Sequence, residues 1–254
     1  MSSGSFSLDG RVAIVTGAGG GLGEGICASL AAAGAAVVCA DLNADAAEAR
    51  ASAIRDAGAT ALAVTVDVTD RVAVAAMTER VVAELGSLDI LVNNAAIYPR
   101  RAWTEISEEE WDSVLAVNLK GYFLCARAAF PHLQASGHGR IVNVASITAF
   151  IGLSHLLAYV SSKGAVISFT RALAREVGVE GVTVNAISPG AFPTDAEKIH
   201  PDPEEYTRWI LDQQSLKRRG TPDDIGNLAV FLAGDASSFI TGQVIEIDGG
   251  WFMH

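Results

Sequence analysis

A glycine-rich turn between an apolar strand and a helix constrains this chain more than any other feature. Residues 11–16 read RVAIVT, a run rich in β-branched residues that is typical of a strand buried on both faces. Residues 17–23 form a glycine-rich stretch, and a helical pattern follows. Backbone N–H groups and a helix dipole point at such a turn, so it predicts an anion site. The strict G-x-G-x-x-G register fails at Leu22, and a looser spacing remains: Gly17, Gly21 and Gly23.

A carboxylate at the end of the second predicted strand indicates which anion the turn binds. By itself the glycine spacing leaves open a turn without function. Asp41, however, lies 24 residues after Gly17, close to the offset of about 20 residues at which an acid accepts the ribose hydroxyls of NAD. A carboxylate there repels the 2′-phosphate of NADP, and Leu42 and Asn43 supply no cation to neutralise it. The pattern predicts NAD over NADP; the alternative is a solvated aspartate at a strand end.

Strands and helices alternate along the rest of the chain, which predicts a parallel sheet covered on both faces. We expect a Rossmann-type, doubly wound α/β fold with seven strands and a single domain over residues 1–254. A polar, proline-bearing insertion at about 191–220 interrupts the alternation. The strands are predicted at residues 11–16, 36–40, 61–66, 88–92, 140–145, 182–187 and 244–247. Helices are predicted at residues 26–31, 45–57, 70–85, 107–134, 157–176, 204–214 and 221–233.

Composition argues against several classes of function. No apolar run approaches the about 18 residues that a membrane span needs, and the N-terminus lacks a signal-peptide pattern. The net charge of −11 argues against nucleic-acid, anionic-membrane and acidic-carrier partners. Cys27, Cys39 and Cys125 lie in apolar segments and indicate core residues in a reducing cytoplasm, without a metal site. We therefore expect a cytoplasmic protein whose partner is a small molecule.

A tyrosine and a lysine on one predicted helix supply a candidate acid–base pair. Tyr159 and Lys163 are four residues apart, so they share a helix face. A tyrosine holds its proton to about pH 10, and a neighbouring lysine cation would lower that pKa toward neutrality. Ser146 follows the fifth strand, and its hydroxyl could hold the reacting oxygen. An ordinary amphipathic pair is the alternative for Tyr159 and Lys163 alone.

These motifs together resemble the short-chain dehydrogenase/reductase family from residue 8 to the C-terminus. The matching motifs are Thr16-Gly17-x-x-x-Gly21-x-Gly23, Asp67-Val68, Asn93-Asn94-Ala95, Asn118, Ser146, Tyr159-x-x-x-Lys163, Asn185, Pro189-Gly190 and Ile240-Thr241-Gly242-Gln243. The resemblance implies a catalytic tetrad of Asn118, Ser146, Tyr159 and Lys163. In that family the tyrosine exchanges a proton with the substrate oxygen, the serine positions that oxygen, and the asparagine anchors a water in the proton relay. The lysine holds the nicotinamide ribose and lowers the tyrosine pKa.

The resemblance also implies a set of residues that contact NAD. These residues are Gly17, Gly21, Leu22, Gly23, Asp41, Leu42, Asp67, Val68, Asn94, Ala95, Ala96, Tyr159, Lys163, Ile187, Pro189, Gly190, Phe192 and Thr194. One position departs from the family, which usually has glycine where this chain has Ala96. We expect only a small local shift from the extra methyl group.

The substrate side is predicted to be apolar and to suit a bulky, uncharged secondary alcohol or ketone. The candidate residues are Tyr98, Ser146, Phe150, His155, Leu156, Phe192 and Trp209. His155 is expected to line the pocket or lie at the surface, since Tyr159 already supplies an acid–base group. Arg100 and Arg101 form a basic pair that could bind a carboxylate, although solvation of an exposed pair is the commoner outcome.

The sequence therefore predicts an NAD-dependent dehydrogenase of secondary alcohols. Two alternatives stay open: a 3-oxoacyl-thioester reductase with a similar core, and a dinucleotide-sensing protein without turnover. We also expect a homotetramer, because most members of the resembled family pair through their long helices. The apolar tail at residues 251–254 is expected to brace the active site or to fill a subunit contact.

Overall fold

Seven parallel strands form one sheet within the part of the chain that the computed structural model describes, residues 6–194, 197 and 202–253. The strand order is β3-β2-β1-β4-β5-β6-β7. The strands are β1 Val12–Thr16, β2 Ala36–Asp41, β3 Ala61–Thr65, β4 Ile90–Asn93, β5 Arg140–Val144, β6 Thr183–Pro189 and β7 Val244–Ile247. Each lies within two residues of its predicted bounds, and the predicted Rossmann-type fold is confirmed.

Helices cover both faces of this sheet. They are α1 Leu22–Ala32, α2 Ala44–Asp56, α3 Arg71–Leu85, α4 Glu108–Leu115, α5 Gly121–Ser136, α6 Thr148–Ile151, α7 Leu157–Val177, α8 Pro203–Gln213 and α9 Pro222–Ala233. The short helix α6 was not predicted. Among the helices of the described residues, none is long and apolar enough to cross a membrane.

The apolar strands are explained by a core on each side of the sheet. Ala13 and Val15 of β1 face one core, into which α1 and α9 pack. Val12 and Ile14 alternate with them and face the other core, which contains residues of α3, α5 and α7. All four β1 side chains are almost completely buried. A strand buried on both faces must be apolar at every position, which is why its sequence shows no alternation.

The predicted long helix at residues 107–134 contains a local irregularity. It runs as α4, a π-helical turn at Ala116–Lys120, and then α5. Asn118 lies inside this turn and is fully buried. A π turn inserts one extra residue into the helix and is frequent at functional sites. The turn rotates Asn118 out of the regular helical register, which the apolar periodicity could not reveal.

The order of the strands decides where a ligand can bind. The chain starts at β1, moves outward to β3, and returns to β4 on the other side of β1. At this reversal the turn after β1 and the turn after β4 separate in opposite directions. The crevice between them, at the carboxyl ends of the strands, is the standard ligand site of such sheets.

Candidate active site

A cleft of about 1000 Å³ opens at the carboxyl ends of the strands. It brings together residues predicted from segments far apart in the chain. The predicted residues that line it are Gly17, Gly21, Leu22, Asp41, Leu42, Asp67, Val68, Asn94, Ala95, Ala96, Tyr98, Ser146, Leu156, Tyr159, Lys163, Pro189, Gly190, Phe192, Thr194 and Trp209.

The glycine turn packs too tightly to admit side chains. Gly17 has a φ of 64°, and a Cβ there would lie 2.8 Å from the Cα of Ala95. A Cβ on Gly23 would lie 2.2 Å from the carbonyl oxygen of Gly17. Gly23 therefore does not line the cleft but lets α1 pack directly beneath the turn. This close packing leaves the backbone open on the cleft side, as a pyrophosphate requires.

Asp41 is held at the edge of this turn by main-chain donors. Its Oδ2 accepts a hydrogen bond of 2.9 Å from the N–H of Gly19, and its Oδ1 accepts one of 2.9 Å from the N–H of Asn43. Each oxygen keeps a further lone pair on a side chain that is partly exposed to the cleft. The carboxylate is thus preorganised to accept two hydroxyl donors, as the ribose diol of a dinucleotide would supply.

Asn94 ties the end of β4 to the glycine turn. Its side-chain amide donates to the carbonyl oxygens of Thr16, at 3.0 Å, and Gly17, at 2.9 Å. Its own N–H donates to the Thr16 hydroxyl at 3.0 Å. The sequence resemblance implied a ribose contact for Asn94; the structure shows in addition that its amide N–H groups brace the turn.

Ser146 and Tyr159 face each other across the cleft floor. The Ser146 hydroxyl oxygen accepts hydrogen bonds from the Thr148 N–H at 3.2 Å and the Thr148 hydroxyl at 2.9 Å. With two donors directed at its oxygen, the serine proton is free to point toward Tyr159 or a substrate oxygen. Burial raises the pKa of Tyr159 to about 12, and its hydrogen bond with Ser146 opposes that rise.

Lys163 lies buried beneath Tyr159. Its Nζ donates to the Tyr122 hydroxyl at 3.0 Å and to the Val144 carbonyl oxygen at 2.6 Å, and lies 5.7 Å from the Tyr159 ring centroid. Burial lowers the pKa of Lys163 to about 7. The expectation of a lysine-lowered tyrosine pKa is therefore wrong for the chain by itself. Burial penalises the charged form of each group, so it raises the pKa of the phenol and lowers that of the ammonium.

Asn118 lies behind the cleft rather than in its lining. Its side chain donates to the Ile97 carbonyl oxygen at 2.9 Å and to the Ser162 hydroxyl at 3.0 Å, while its Oδ1 accepts from the Ile97 N–H at 2.9 Å. These bonds join the π turn, the segment after β4 and helix α7. Asn118 thereby holds the turn of α7 between Tyr159 and Lys163 against the rest of the site.

Aromatic side chains line part of the same cleft, and we call them the aromatic wall. The Tyr98 ring meets the Tyr159 ring edge-on, with centroids 6.0 Å apart. Trp209 stacks on Tyr206 at 5.8 Å and meets Trp251 edge-on at 5.3 Å. All five side chains line the same cleft. The wall combines the segment after β4, helix α8 and the C-terminal tail, so the tail folds back on its own chain; His254 lies outside the described residues.

Besides Gly23 and Asn118, three further expected contacts are not brought to the cleft lining. Phe150 stacks on Phe252 with ring centroids 4.8 Å apart, because α6 turns it away from the floor. His155 has a φ of 64° and an exposed side chain outside the lining. Ile187 is fully buried in the core as part of β6.

Three contributors escaped the sequence prediction, and a fourth, Trp251, was expected only as part of a tail that braces the active site. Thr148 orients Ser146, Tyr122 accepts from Lys163, and Tyr206 and Trp251 complete the aromatic wall. Only Thr148 had a local signal, a hydroxyl two residues after Ser146. The others meet the site through long-range packing.

The glycine cradle, the Asp41 carboxylate and the size of the cleft fit a nicotinamide dinucleotide. Residues 17–252 match the family model described as enoyl-(acyl carrier protein) reductase. The chain is 39% identical over 246 residues to subunit BbsD of (2S)-[(R)-hydroxy(phenyl)methyl]succinyl-CoA dehydrogenase from Thauera aromatica, covering 96% of this chain and 98% of that one.

Solved structures agree with this match. A putative short-chain alcohol dehydrogenase from Sinorhizobium meliloti 1021 has a TM-score of 0.93 and 38% identity, with 98% of each chain covered. A gluconate 5-dehydrogenase from Burkholderia cenocepacia J2315, in complex with NADP and tartrate, has a TM-score of 0.93 and 34% identity, covering 99% of this chain and 98% of that one. This chain therefore belongs to the short-chain dehydrogenase/reductase family, and it is a nicotinamide-dependent oxidoreductase of CH–OH groups.

Proposed function

We propose that this protein is an NAD-preferring dehydrogenase that oxidises a bulky, apolar secondary alcohol to a ketone or catalyses the reverse reaction. The observation that carries the cofactor preference is the Asp41 carboxylate, which two main-chain donors hold at the glycine turn. It can accept the hydroxyl groups of an unphosphorylated ribose. A 2′-phosphate would meet its negative charge, and Leu42 beside it supplies no cation.

Four side chains carry the chemistry in this proposal: Asn118, Ser146, Tyr159 and Lys163. Tyr159 takes the proton from the carbinol oxygen during oxidation and returns it during reduction. Ser146 donates its hydroxyl proton to that oxygen, since Thr148 occupies the lone pairs on the other side. Lys163 fixes the base of the site through Tyr122 and Val144, and Asn118 positions α7. When bound, the nicotinamide supplies hydride transfer at the carbinol carbon.

The aromatic wall supports an apolar body on the substrate. Tyr98, Trp209 and Trp251 cover the side of the cleft that adjoins Tyr159. The Thauera relative is named for a substrate in which the alcohol lies beside a phenyl ring. A secondary alcohol next to a ring or branched chain would fill such a wall better than a small alcohol.

The proposal also includes the oligomeric state and the cellular location: the protein forms a homotetramer in the cytoplasm. Support comes from exposed apolar side chains on the helices that the family uses for pairing, such as Phe123 of α5 and Leu157 of α7. Cys27, Cys39 and Cys125 are free and buried, as suits a reducing compartment. Light scattering of the purified protein tests the assembly, and a monomer would contradict it.

The decisive experiment compares NAD with NADP as the oxidant for a panel of secondary alcohols. We expect kcat/KM to favour NAD by roughly 10- to 100-fold, the worth of one or two charge-assisted hydrogen bonds. Asp41→Ala should remove most of that preference. Asp45→Ala, a carboxylate in the first turn of α2 and outside the cleft lining, is the matched control.

The same experiment distinguishes the proposed function from its alternatives. The Burkholderia neighbour contains NADP, and an NADP preference here would overturn the proposal. Turnover of 3-oxoacyl thioesters far above that of simple secondary alcohols would favour the reductase alternative. Tight dinucleotide binding without turnover of any alcohol or ketone would indicate a sensor.

A further inference from the structure

We infer that Arg100 forms a carboxylate subsite, so that the substrate is a hydroxy acid with an apolar body between its carbinol and its carboxylate. The inference rests on the proposed function and replaces the uncharged substrate that the sequence suggested. Arg100 lines the same cleft as Tyr159, and its side chain is exposed to it. Among the described residues it makes no ion pair and no side-chain hydrogen bond. A planar guanidinium in this position can bind a carboxylate through two parallel hydrogen bonds.

The neighbouring arginine shows why Arg100 is the available member of the pair. Arg101 donates from Nε to the Glu110 carboxylate at 2.9 Å, outside the cleft lining. Its backbone N–H donates to the His155 carbonyl oxygen at 2.9 Å. That bond attaches the segment after β4 to the loop before α7. Arg101 is thus occupied, while the same anchored backbone presents Arg100 to the cleft.

The other charged groups of the cleft leave Arg100 as its main exposed cation. Glu197 also lines the cleft, but it is paired with Arg219. The remaining lining carboxylates, Asp41 and Asp67, follow β2 and β3 at the far side of the sheet. Lys163 is buried under Tyr159 and engaged by two acceptors. A chain with a net charge of −11 repels anions at long range, so an anionic substrate needs a local cation such as Arg100.

Tyr98 places Arg100 near the acid–base group of the cleft. Tyr98 touches Tyr159 through its ring, and Arg100 lies two residues further along. Two residues span at most about 7 Å of backbone. The backbone of Arg100 therefore lies close to that of Tyr98, in the part of the cleft that contains the acid–base group. The aromatic rings of the wall would stack on an apolar body between the carbinol and the carboxylate.

The test measures binding without turnover. Cyclohexanecarboxylate and cyclohexanecarboxamide have the same ring and nearly the same size, differ in charge, and lack a carbinol. Each is titrated into the NAD-loaded protein, and the fluorescence of Trp209 and Trp251 at the cleft reports binding. We expect the carboxylate to bind at least roughly 10-fold more tightly than the amide, as one charge-assisted pair provides.

Variants of Arg100 and Arg101 test which side chain causes the preference for the carboxylate over the amide. Arg100→Gln should abolish the preference for the carboxylate, Arg100→Lys should keep part of it, and Arg101→Gln should leave it unchanged. Equal affinity for acid and amide in the unmodified protein would overturn the inference. An equal loss in the Arg100→Gln and Arg101→Gln variants would overturn it as well, since it would indicate only the general charge of the surface.

The same protein preparation separates this inference from the proposed function. NAD reduction with cyclohexanol and with 4-hydroxycyclohexanecarboxylate is measured in parallel. Oxidation of cyclohexanol without any advantage for the acid would leave the dehydrogenase proposal standing and defeat the carboxylate subsite. Carboxylate-selective binding without oxidation of either alcohol would support the subsite and contradict the dehydrogenase.

Discussion

The two halves of the cleft are built in different ways. The half proposed to bind the cofactor, around the glycine turn, Asp41 and Asn94, consists of main chain and short side chains joined by hydrogen bonds; we call it the cofactor half. The half proposed to bind the substrate consists of large aromatic side chains from α8, the tail and the segment after β4; we call it the substrate half. The first half comes from turns that directly follow strands, whereas the second joins segments as far as 153 residues apart, Tyr98 and Trp251.

This difference predicts how many changes in sequence each half of the cleft tolerates. A backbone cradle tolerates almost no change, because the shortest contacts of a Cβ on Gly17 or Gly23 would be with main-chain atoms. An aromatic wall can exchange one large side chain for another and thereby accept a new substrate. Changes in the cofactor half should therefore affect every substrate, while changes in the substrate half should affect only some.

The largest effect is expected at the boundary of the two halves, where Tyr159 serves both. Tyr159→Phe removes only the hydroxyl, so kcat should fall roughly 10²- to 10⁴-fold. The NAD dissociation constant should change little, which equilibrium titration checks. A variant with near-normal kcat would show that another group moves the proton.

The pH dependence should also be large. Burial raises the pKa of Tyr159 to about 12, so oxidation requires a phenolate that becomes more abundant as pH rises. We expect kcat/KM for oxidation to increase about tenfold per pH unit between roughly pH 7 and 10, following the deprotonated fraction. Reduction uses the protonated tyrosine and should stay nearly flat over the same range. An oxidation profile that is level above neutral pH would contradict the raised pKa.

A glycine pair tests the rigidity of the cofactor half. Gly23→Ala places a methyl group 2.2 Å from the Gly17 carbonyl oxygen, whereas a methyl on Gly20 meets no atom within 4 Å. Overpacking of this kind costs about 1–3 kcal/mol, so Gly23→Ala should lower the melting temperature by several degrees. Gly20→Ala should leave the melting temperature unchanged. Equal melting of the two variants would show that the turn yields more easily than its contacts indicate.

A tryptophan pair tests the substrate half. Trp251→Ala removes the edge-on contact with Trp209 and part of the wall. We expect KM for bulky alcohols to rise roughly 3- to 10-fold with an unchanged affinity for NAD. Trp103, which is 74% exposed and outside the lining, supplies the control Trp103→Ala. A comparable loss in both variants, or a loss of NAD binding with Trp251→Ala alone, would break the division into two halves.

The smallest effect concerns the orientation of Ser146. Thr148→Val keeps the shape of the side chain but removes its hydroxyl donor, so kcat should fall about 2- to 10-fold, the worth of one hydrogen bond. Thr148→Ser should restore the rate. Loss of activity in both variants would assign Thr148 a packing role instead.

Several features of this protein could be predicted from residues that are close together in the sequence. The strands were predicted within two residues because burial on both faces requires uninterrupted apolar runs, as in 11–16. The glycine turn and Asp41 could also be predicted, because each lies at the end of a strand that the sequence itself indicates. The spacing of Tyr159 and Lys163 correctly indicated that both lie at one place on α7.

Only the tertiary structure decided whether the pKa values of Tyr159 and Lys163 are raised or lowered. Spacing suggests that a lysine cation lowers the tyrosine pKa, but burial in the folded chain lowers the pKa of Lys163 to about 7 and raises that of Tyr159 to about 12. The tertiary structure also decided which residues line the cleft. Phe150 on helix α6 and Asn118 in the π turn lie outside the lining, whereas Trp251 of the tail lies in it. Local chemistry is encoded by neighbouring residues, whereas desolvation and the meeting of distant loops depend on the packing of the whole chain.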